Sequence, residues 1–230
     1  MLPTVSLVIP VLFDAEAASA LLGTLPSGQS VEIIVVDGGS DPRLPSIVAG
    51  HRRASLHRSD AGRARQMNAG VTAATGEWLL FLHADSTLPA GWLAAIAALD
   101  DDVIGGWFRF ALDDQAWQAR VIERLTAWRV KHFHLPYGDQ GLFVRRRVFH
   151  TLGEFRDMPL MEDVEFVRRL VRAGRAVELP LPLTTSARRW RRDGWFRRST
   201  KNLLLVGLYF LGVKPDRLAR WYRRPAAERP

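Results

Sequence analysis

The chain has 230 residues, 47% of them apolar, and carries 32 Lys and Arg against 24 Asp and Glu, a formal net charge of +8. That length and apolar share suffice to bury a core, and residues 1–230 are expected to form one domain. With no cysteine in the chain, disulfides, zinc–thiolate sites and thiol nucleophiles are excluded.

Val5–Pro10 is a short β-branched run closed by proline and predicts a buried first strand. Ala15–Leu25 predicts a helix and Val31–Val36 a second strand. A turn rich in glycine and aspartate follows, Asp37-Gly38-Gly39-Ser40-Asp41-Pro42. A short helix over Ser46–Arg53 and a short strand at Leu56-His57-Arg58 come next. Gly62–Thr75 predicts a helix, Glu77–His83 the third clear strand, and Pro89–Leu99 another helix. This alternation of strand and helix implies a parallel sheet covered on both faces. The second half predicts a strand over Val103–Leu112, a helix over Gln115–His132 and a short strand over Gly141–Val144. A helix over Asp163–Ala173 and a final strand over Ala176–Leu181 complete the series.

The last segment, 186–230, holds 13 of the cationic residues and 3 acids, so the positive excess belongs to the tail. Such a tail suits anionic headgroups or polyanions, or is simply solvated. Within it Leu203–Val213 is apolar, preceded by Arg197, Arg198 and Lys201 and flanked by Trp195 and Phe196. It reads as an amphipathic helix, either packed on the core or lying on a membrane surface. No apolar run reaches the roughly 20 residues a spanning helix needs. Met1 leads straight into Val5–Ile9 without a leader pattern. These features predict a cytoplasmic protein, with peripheral contact at the inner face of the membrane as an added role for the tail.

Three apolar runs end on acids, at Asp37, Asp85 and Asp163. The first two place a carboxylate where a strand meets its loop, the edge at which open α/β sheets bind ligands. Asp37 can accept from a nucleobase or ribose, and Gly38 and Gly39 allow close backbone approach; alternatively Asp37 only caps the turn. Arg63 and Arg65 stand in the first turn of their helix, unfavourable there unless an anion sits nearby; the plainer reading is a surface pair with Asp60. Asp85 can hold a divalent cation shared with a diphosphate, and His83 is a second donor or a structural histidine. Glu162 and Asp163 open a helix, and a carboxylate so placed is either a general base or a cap. Gly138-Asp139-Gln140-Gly141 shapes an acceptor pocket or is a turn. Arg188-Arg189-Trp190-Arg191-Arg192 suits a diphosphate, while RRM, KH and zinc patterns are missing, so nucleic acid is not expected as a partner.

Taken in order, Ser6–Pro10, Val35–Asp41, Leu82-His83-Ala84-Asp85 and Met161-Glu162-Asp163 resemble family two glycosyltransferases of the GT-A fold. The resemblance runs from about Thr4 to Tyr222. It is greatest to a bacterial subgroup found near radical-SAM and arsenosugar-type gene clusters. That subgroup carries Gly62–Asn68, Gly138–Gly141 and Thr185–Trp190 much as they stand here. The resemblance implies a mostly parallel, mixed sheet sandwiched between helices, with Pro10, Asp37 and Gly39 at the nucleotide. It makes Asp85 the last acid of a DxD element binding Mn²⁺ or Mg²⁺ and the sugar diphosphate. It makes Asp163 the catalytic base with Glu162 beside it, and places Arg65, Arg189 and Trp190 near the donor, as in a QxxRW element. Two positions depart from the pattern: His83 replaces the first DxD acid, and Ser186 replaces the glutamine. The implied function is metal-dependent, inverting transfer of a sugar from a nucleotide-sugar donor to a small-molecule or lipid-linked hydroxyl acceptor. The alternatives are a nucleotidyltransferase and a non-catalytic nucleotide- or membrane-surface-binding protein.

Overall fold

The computed structural model describes residues 4–26, 28 and 30–223; the first residues of the chain and residues 224–230 of the basic tail lie outside the described residues. Strands β1 (Val5–Val11), β2 (Val31–Asp37) and β3 (Ala54–Arg58) alternate with helices α1 (Ala15–Thr24), α2 (Leu44–Ala49) and α3 (Arg63–Ala73). Then follow β4 (Trp78–Phe81), the two-residue β5 (Ser86–Thr87), α4 (Trp92–Ala97), β6 (Val103–Leu112) and α5 (Trp117–Phe133). A 3-10 turn at Gly138–Gln140 leads to β7 (Leu142–Arg145), α6 (Arg146–Thr151), α7 (Glu162–Ala173) and β8 (Arg175–Thr185). Three helices close the described chain: α8 (Arg188–Asp193), α9 (Trp195–Phe210) and α10 (Pro215–Arg223).

The strands form one sheet in the order β3-β2-β1-β4-β7-β6-β8-β5. β1 pairs parallel with both β2 and β4, and β2 with β3, so these strands end along one edge. β7 runs antiparallel to β4 and to β6, which makes the sheet mixed. The period-two side-chain alternation of a strand divides the core in two. On β1, Leu7, Ile9 and Val11 face one side with α1, α2 and α4, while Val8 faces α3, α6 and α7 on the other. Strands β2 and β4 alternate in the same way, so their apolar runs are buried on both faces. The second side is closed by Phe81, Phe149, Phe155 and Phe166, whose neighbouring ring centroids lie 4.8 to 5.2 Å apart.

β8 is longer than the predicted Ala176–Leu181. Its pairing to β6 jumps from Phe108↔Leu179 to Arg109↔Pro182. The bulge takes up Pro180, which has no N–H to give a ladder, and the strand then resumes to Thr185. The predicted strand Glu77–His83 stops at Phe81 instead, although the Leu82 N–H still bonds the Val8 carbonyl. In the tail, Leu203–Phe210 is helical as expected, forming the second half of α9, and the rest of the apolar run turns at Gly212 (φ 87°) into α10.

Candidate active site

Where β1 and β4 end, and where β8 meets α8, a cavity of about 110 Å³ opens. His83, Asp85, Gly138, Asp139, Asp163 and Arg189 line it. An adjoining cleft of about 620 Å³ extends past Pro10, Gly62 and Arg65, sharing Arg63, His83, Asp85, Arg189 and Tyr222 with the first. Residues from eight separate chain segments therefore converge at one edge of the sheet.

Asp163 is fixed by backbone. Its Oδ2 accepts from the Gly138 N–H at 2.6 Å and its Oδ1 from the Val164 N–H at 2.7 Å. Each carboxylate oxygen keeps a second lone pair for another donor. Met161 in the left-handed region (φ 74°) turns the chain into α7 so that Asp163 arrives at its N-terminus. Gly138 has to be small: a Cβ there would lie 3.0 Å from Asp163 Oδ2 and 3.3 Å from His83 Nε2. Gly138→Ala should leave the fold intact and displace Asp163 by a few tenths of an ångström. The expected loss of kcat is about tenfold, measured against unchanged circular dichroism.

Asp139 faces the same cavity, and burial pushes its carboxyl up to about 6, with Asp163 and Asp85 adding to the rise and Arg129 and Arg63 opposing it. A carboxyl whose folded pKa exceeds its ordinary 3.8 binds a proton more tightly in the folded state. Its contribution to stability is complete below about pH 4 and lost as pH rises through about 6. Asp139→Asn should flatten the decline in urea stability across that window, gaining on the parent near neutral pH and not at pH 4. His83 is held well below its ordinary value, first by burial and then by the charges of Arg63 and Arg189. A neutral imidazole at neutral pH follows, the form that binds metals.

Arg63 sits at the centre of the site. It bonds Glu162 at 3.2 Å, and Glu162 is 2% exposed. Burial raises the Glu162 carboxyl, and the Arg63 guanidinium opposes that rise. Glu162 thus holds Arg63 beside Asp163. Neither helix-α3 arginine makes the surface pair with Asp60 that the plainer sequence reading offered: Arg65 pairs with Asp157 at 3.0 Å on the cleft rim. Asp85, 13% exposed, faces Arg188 Nη2 at 3.9 Å, while Arg188 also bonds Asp14 beyond β1. The Ser186 N–H donates to the Asp85 carbonyl, tying the start of α8 to this loop.

Residues 6–153 match the family described as Glycosyl transferase family 2. The chain belongs to glycosyl transferase family 2. A relative named PGL/p-HBAD biosynthesis glycosyltransferase, from Mycobacterium bovis, is 32% identical over 168 residues. That match covers 66% of this chain and 63% of the relative, so the chain spans less than two thirds of that relative's length. An uncharacterized glycosyltransferase of Mycobacterium bovis is 31% identical over 76% of this chain and 83% of its own length. Among solved structures, a mannosyltransferase from Pyrobaculum calidifontis in complex with GDP-Man and Mn²⁺ superimposes with a TM-score of 0.68. It is 18% identical, over 94% of this chain and 67% of that one. TarS of Staphylococcus aureus with UDP-GlcNAc gives 0.60 at 16% identity, over 80% of this chain and 58% of that one. The fold is GT-A.

In this family 2 domain the remaining expected residues are placed unequally. Pro10 lines the larger cleft. Asp37 is 2% exposed; its Oδ1 accepts from the Gly39 N–H at 2.9 Å, as a turn cap does, and its Oδ2 is buried with no hydrogen-bond partner. Gly39 lies under the exposed ring of Phe13, which a Cβ would meet at 2.8 Å. Gln140 is buried and braces its turn, donating to the Phe108 carbonyl at 3.1 Å and accepting from the Tyr137 N–H at 3.3 Å. Trp190 is 6% exposed, packs on Phe110 and donates to Ser199 at 3.1 Å, so its indole backs the cavity. Tyr137 and Tyr222 also line the cavity and were missed in the sequence. Tyr137 was marked only by its place beside the Gly138 turn, and Tyr222 by the helical spacing from Leu218 in α10. Among the described residues, no three His, Asp or Glu gather as a metal-ligand cluster. Asp85 with neutral His83 fits a hard divalent cation that takes its other oxygens from a diphosphate.

Proposed function

We propose that the protein transfers a glycosyl group, with inversion, from a nucleoside diphosphate sugar to an acceptor hydroxyl. The observation that carries this reading is the meeting of Asp85, Asp163 and Arg189 in one cavity continuous with the cleft at Pro10. Two neighbours of the same fold support it: the Pyrobaculum calidifontis mannosyltransferase holds GDP-Man and Mn²⁺, and TarS holds UDP-GlcNAc. Asp163 takes the proton of the acceptor hydroxyl while its oxygen bonds to the anomeric carbon. The bond from that carbon to the diphosphate breaks, and the nucleoside diphosphate leaves with the electron pair. Arg63 and Arg189 face the charge that grows on the departing phosphate. Asp85 and His83 would hold Mn²⁺ or Mg²⁺, which supplies Lewis-acid stabilisation of the diphosphate. Asp37 and Gly39, at the end of β2, mark the nucleoside side of the donor. Glu162 orients Arg63, and the Gly138-Asp139-Gln140 turn borders the acceptor. Membership of the radical-SAM-associated subgroup, and action from the cytoplasm or the inner membrane face, belong to this proposal. The first rests on the three motifs quoted above.

The test is incubation with UDP- and GDP-sugars plus Mn²⁺. Release of nucleoside diphosphate is the expected product signature. A parallel incubation with nucleoside triphosphates and a sugar 1-phosphate covers the alternative. Pyrophosphate release there, without nucleoside diphosphate release from the sugar nucleotides, would make it a nucleotidyltransferase. Release of neither product would reduce it to a binding protein.

A further inference from the structure

The molecule carries a second large concavity that the donor chemistry leaves unused. A groove of about 770 Å³ runs between α5 and α9, floored by Phe110 and Ile122 and walled by apolar side chains. The walls are open: Leu125 is 58% exposed, Trp128 55%, Phe133 62% and Leu203 60%. Of the exposed large apolar residues among the described ones, most sit on α5 and α9. A soluble surface rarely concentrates that much apolar area without a ligand or partner for it.

The inner end of the groove decides what fits. Tyr137, Asp139, Trp190, Asn202 and Val206 line both this groove and the small cavity that contains Asp163. An apolar track thus opens onto the general base. Tyr137, Asp139 and Asn202 bring polar groups to that junction, where the Tyr137 hydroxyl is buried without a well-formed hydrogen bond and its ring lies 3.5 Å from the Arg129 guanidinium carbon. A nucleotide or free sugar would meet mainly apolar walls, with Thr126, Arg168, Ser199 and Thr200 the polar side chains away from the junction. A face made only for a membrane or a second copy would need no opening onto the catalytic cavity.

We infer that this groove binds the hydrocarbon chain of the acceptor, so the acceptor class is a long-chain hydroxyl compound presented head first to Asp163. The inference rests on the transferase reading above. The chain lies between α5 and α9, and the hydroxyl reaches the Tyr137–Asp139 junction. Affinity then comes from buried methylenes, and position at the base from the polar end.

The experiment uses the full chain and a graded series of butanol, octanol and dodecanol. Binding is read by quenching of tryptophan fluorescence with a terminally brominated dodecanol, and by competition with the unbrominated alcohols. Saturable quenching is expected, with affinity rising roughly fourfold per added methylene until the groove is full. Leu125→Asp/Leu203→Asp, both at exposed positions, should weaken dodecanol by more than about tenfold while leaving UDP or GDP binding unchanged. In the transfer assay the same variant should lose long-chain acceptors and keep short ones. Three results would overturn the inference: binding that does not saturate or ignores the double variant; a dimer that the variant dissociates; or loss of vesicle binding with alcohol binding unaltered. Failure of the transferase reading shows itself separately, as no nucleoside diphosphate release from any donor although dodecanol still binds. The groove would then be a lipid site without an acceptor role.

Discussion

Asp163→Asn is expected to give a folded protein that binds donor nucleotide and scarcely turns over. Removing a general base typically costs between about 10²- and 10⁴-fold in rate. Asparagine keeps an oxygen for the Gly138 N–H, which now bonds Asp163 at 2.6 Å, so the turn and the start of α7 should hold. The isosteric amide loses the capacity to take the acceptor proton and, because its nitrogen cannot accept, gives up the bond from the Val164 N–H. Calorimetry with UDP and GDP checks binding, and nucleoside diphosphate release checks turnover. Parental turnover in this variant would remove Asp163 from the chemistry.

The second large effect concerns Arg63. Glu162 is 2% exposed and Arg63 is its counter-charge, whereas the Arg63 side chain itself is 36% exposed. Arg63→Met strands a carboxylate beneath the site. Full burial of both partners would cost about 3 to 5 kcal/mol, and solvent access to Arg63 reduces that to about 2 to 3 kcal/mol. The penalty depends on pH. Burial already raises the Glu162 carboxyl above its ordinary 4.5, and loss of Arg63 raises it further. Protonation relieves the cost at acid pH, so the variant's stability should fall as pH rises through the raised value. Chemical denaturation of the parent and the variant, at about pH 4 and near neutrality, reads this directly. Arg63→Met/Glu162→Leu should recover most of the stability, because an apolar pair of similar volume carries no desolvation cost. It should not recover turnover, since the cation facing Asp163 and the diphosphate is gone. Recovery of both would make Arg63 purely structural.

Much of the first half was legible because burial on both sheet faces leaves an unmistakable trace. Val5–Pro10 and Val31–Val36 are rich in β-branched and other apolar residues with little polar alternation, the pattern of a strand covered on both sides. The helix at Gly62–Thr75 was legible from its glycine start and its end before Gly76. The tail was not legible in the same way. Leu203–Val213 reads as a helix either packed on the core or lying on a membrane surface, and its apolar residues alone do not separate the two. Leu205 and Val206 pack on Leu135 and Val164 beside the site, while Leu203 and Leu204 stay exposed. The bulge that carries β8 across Pro180 and Pro182 is also a pairing event, invisible in a local pattern.

Candidate site residues divide along the same line. Asp85 and Asp163 could be found because each stands at the boundary of a regular element, where backbone direction changes and a carboxylate is presented. Arg63 and Arg65 show where that logic ends. They are two residues apart in one helical turn and chemically identical, yet one turns to buried Glu162 and the other to Asp157 on the rim. No spacing rule separates them, since their partners lie about a hundred residues away in the chain.

The sequence by itself determined the α/β class, the order of the first strands and helices, and which acids close them. Those features depend on neighbours within a few residues, through dihedral preference and the periodicity of burial. Tertiary structure alone decided that α8, α9 and α10 wall one side of the cavity, that Arg63 meets buried Glu162, and that an apolar groove opens beside Asp163. Each of these comes from packing between distant segments, whose burial and counter-charges exist only once the chain is folded.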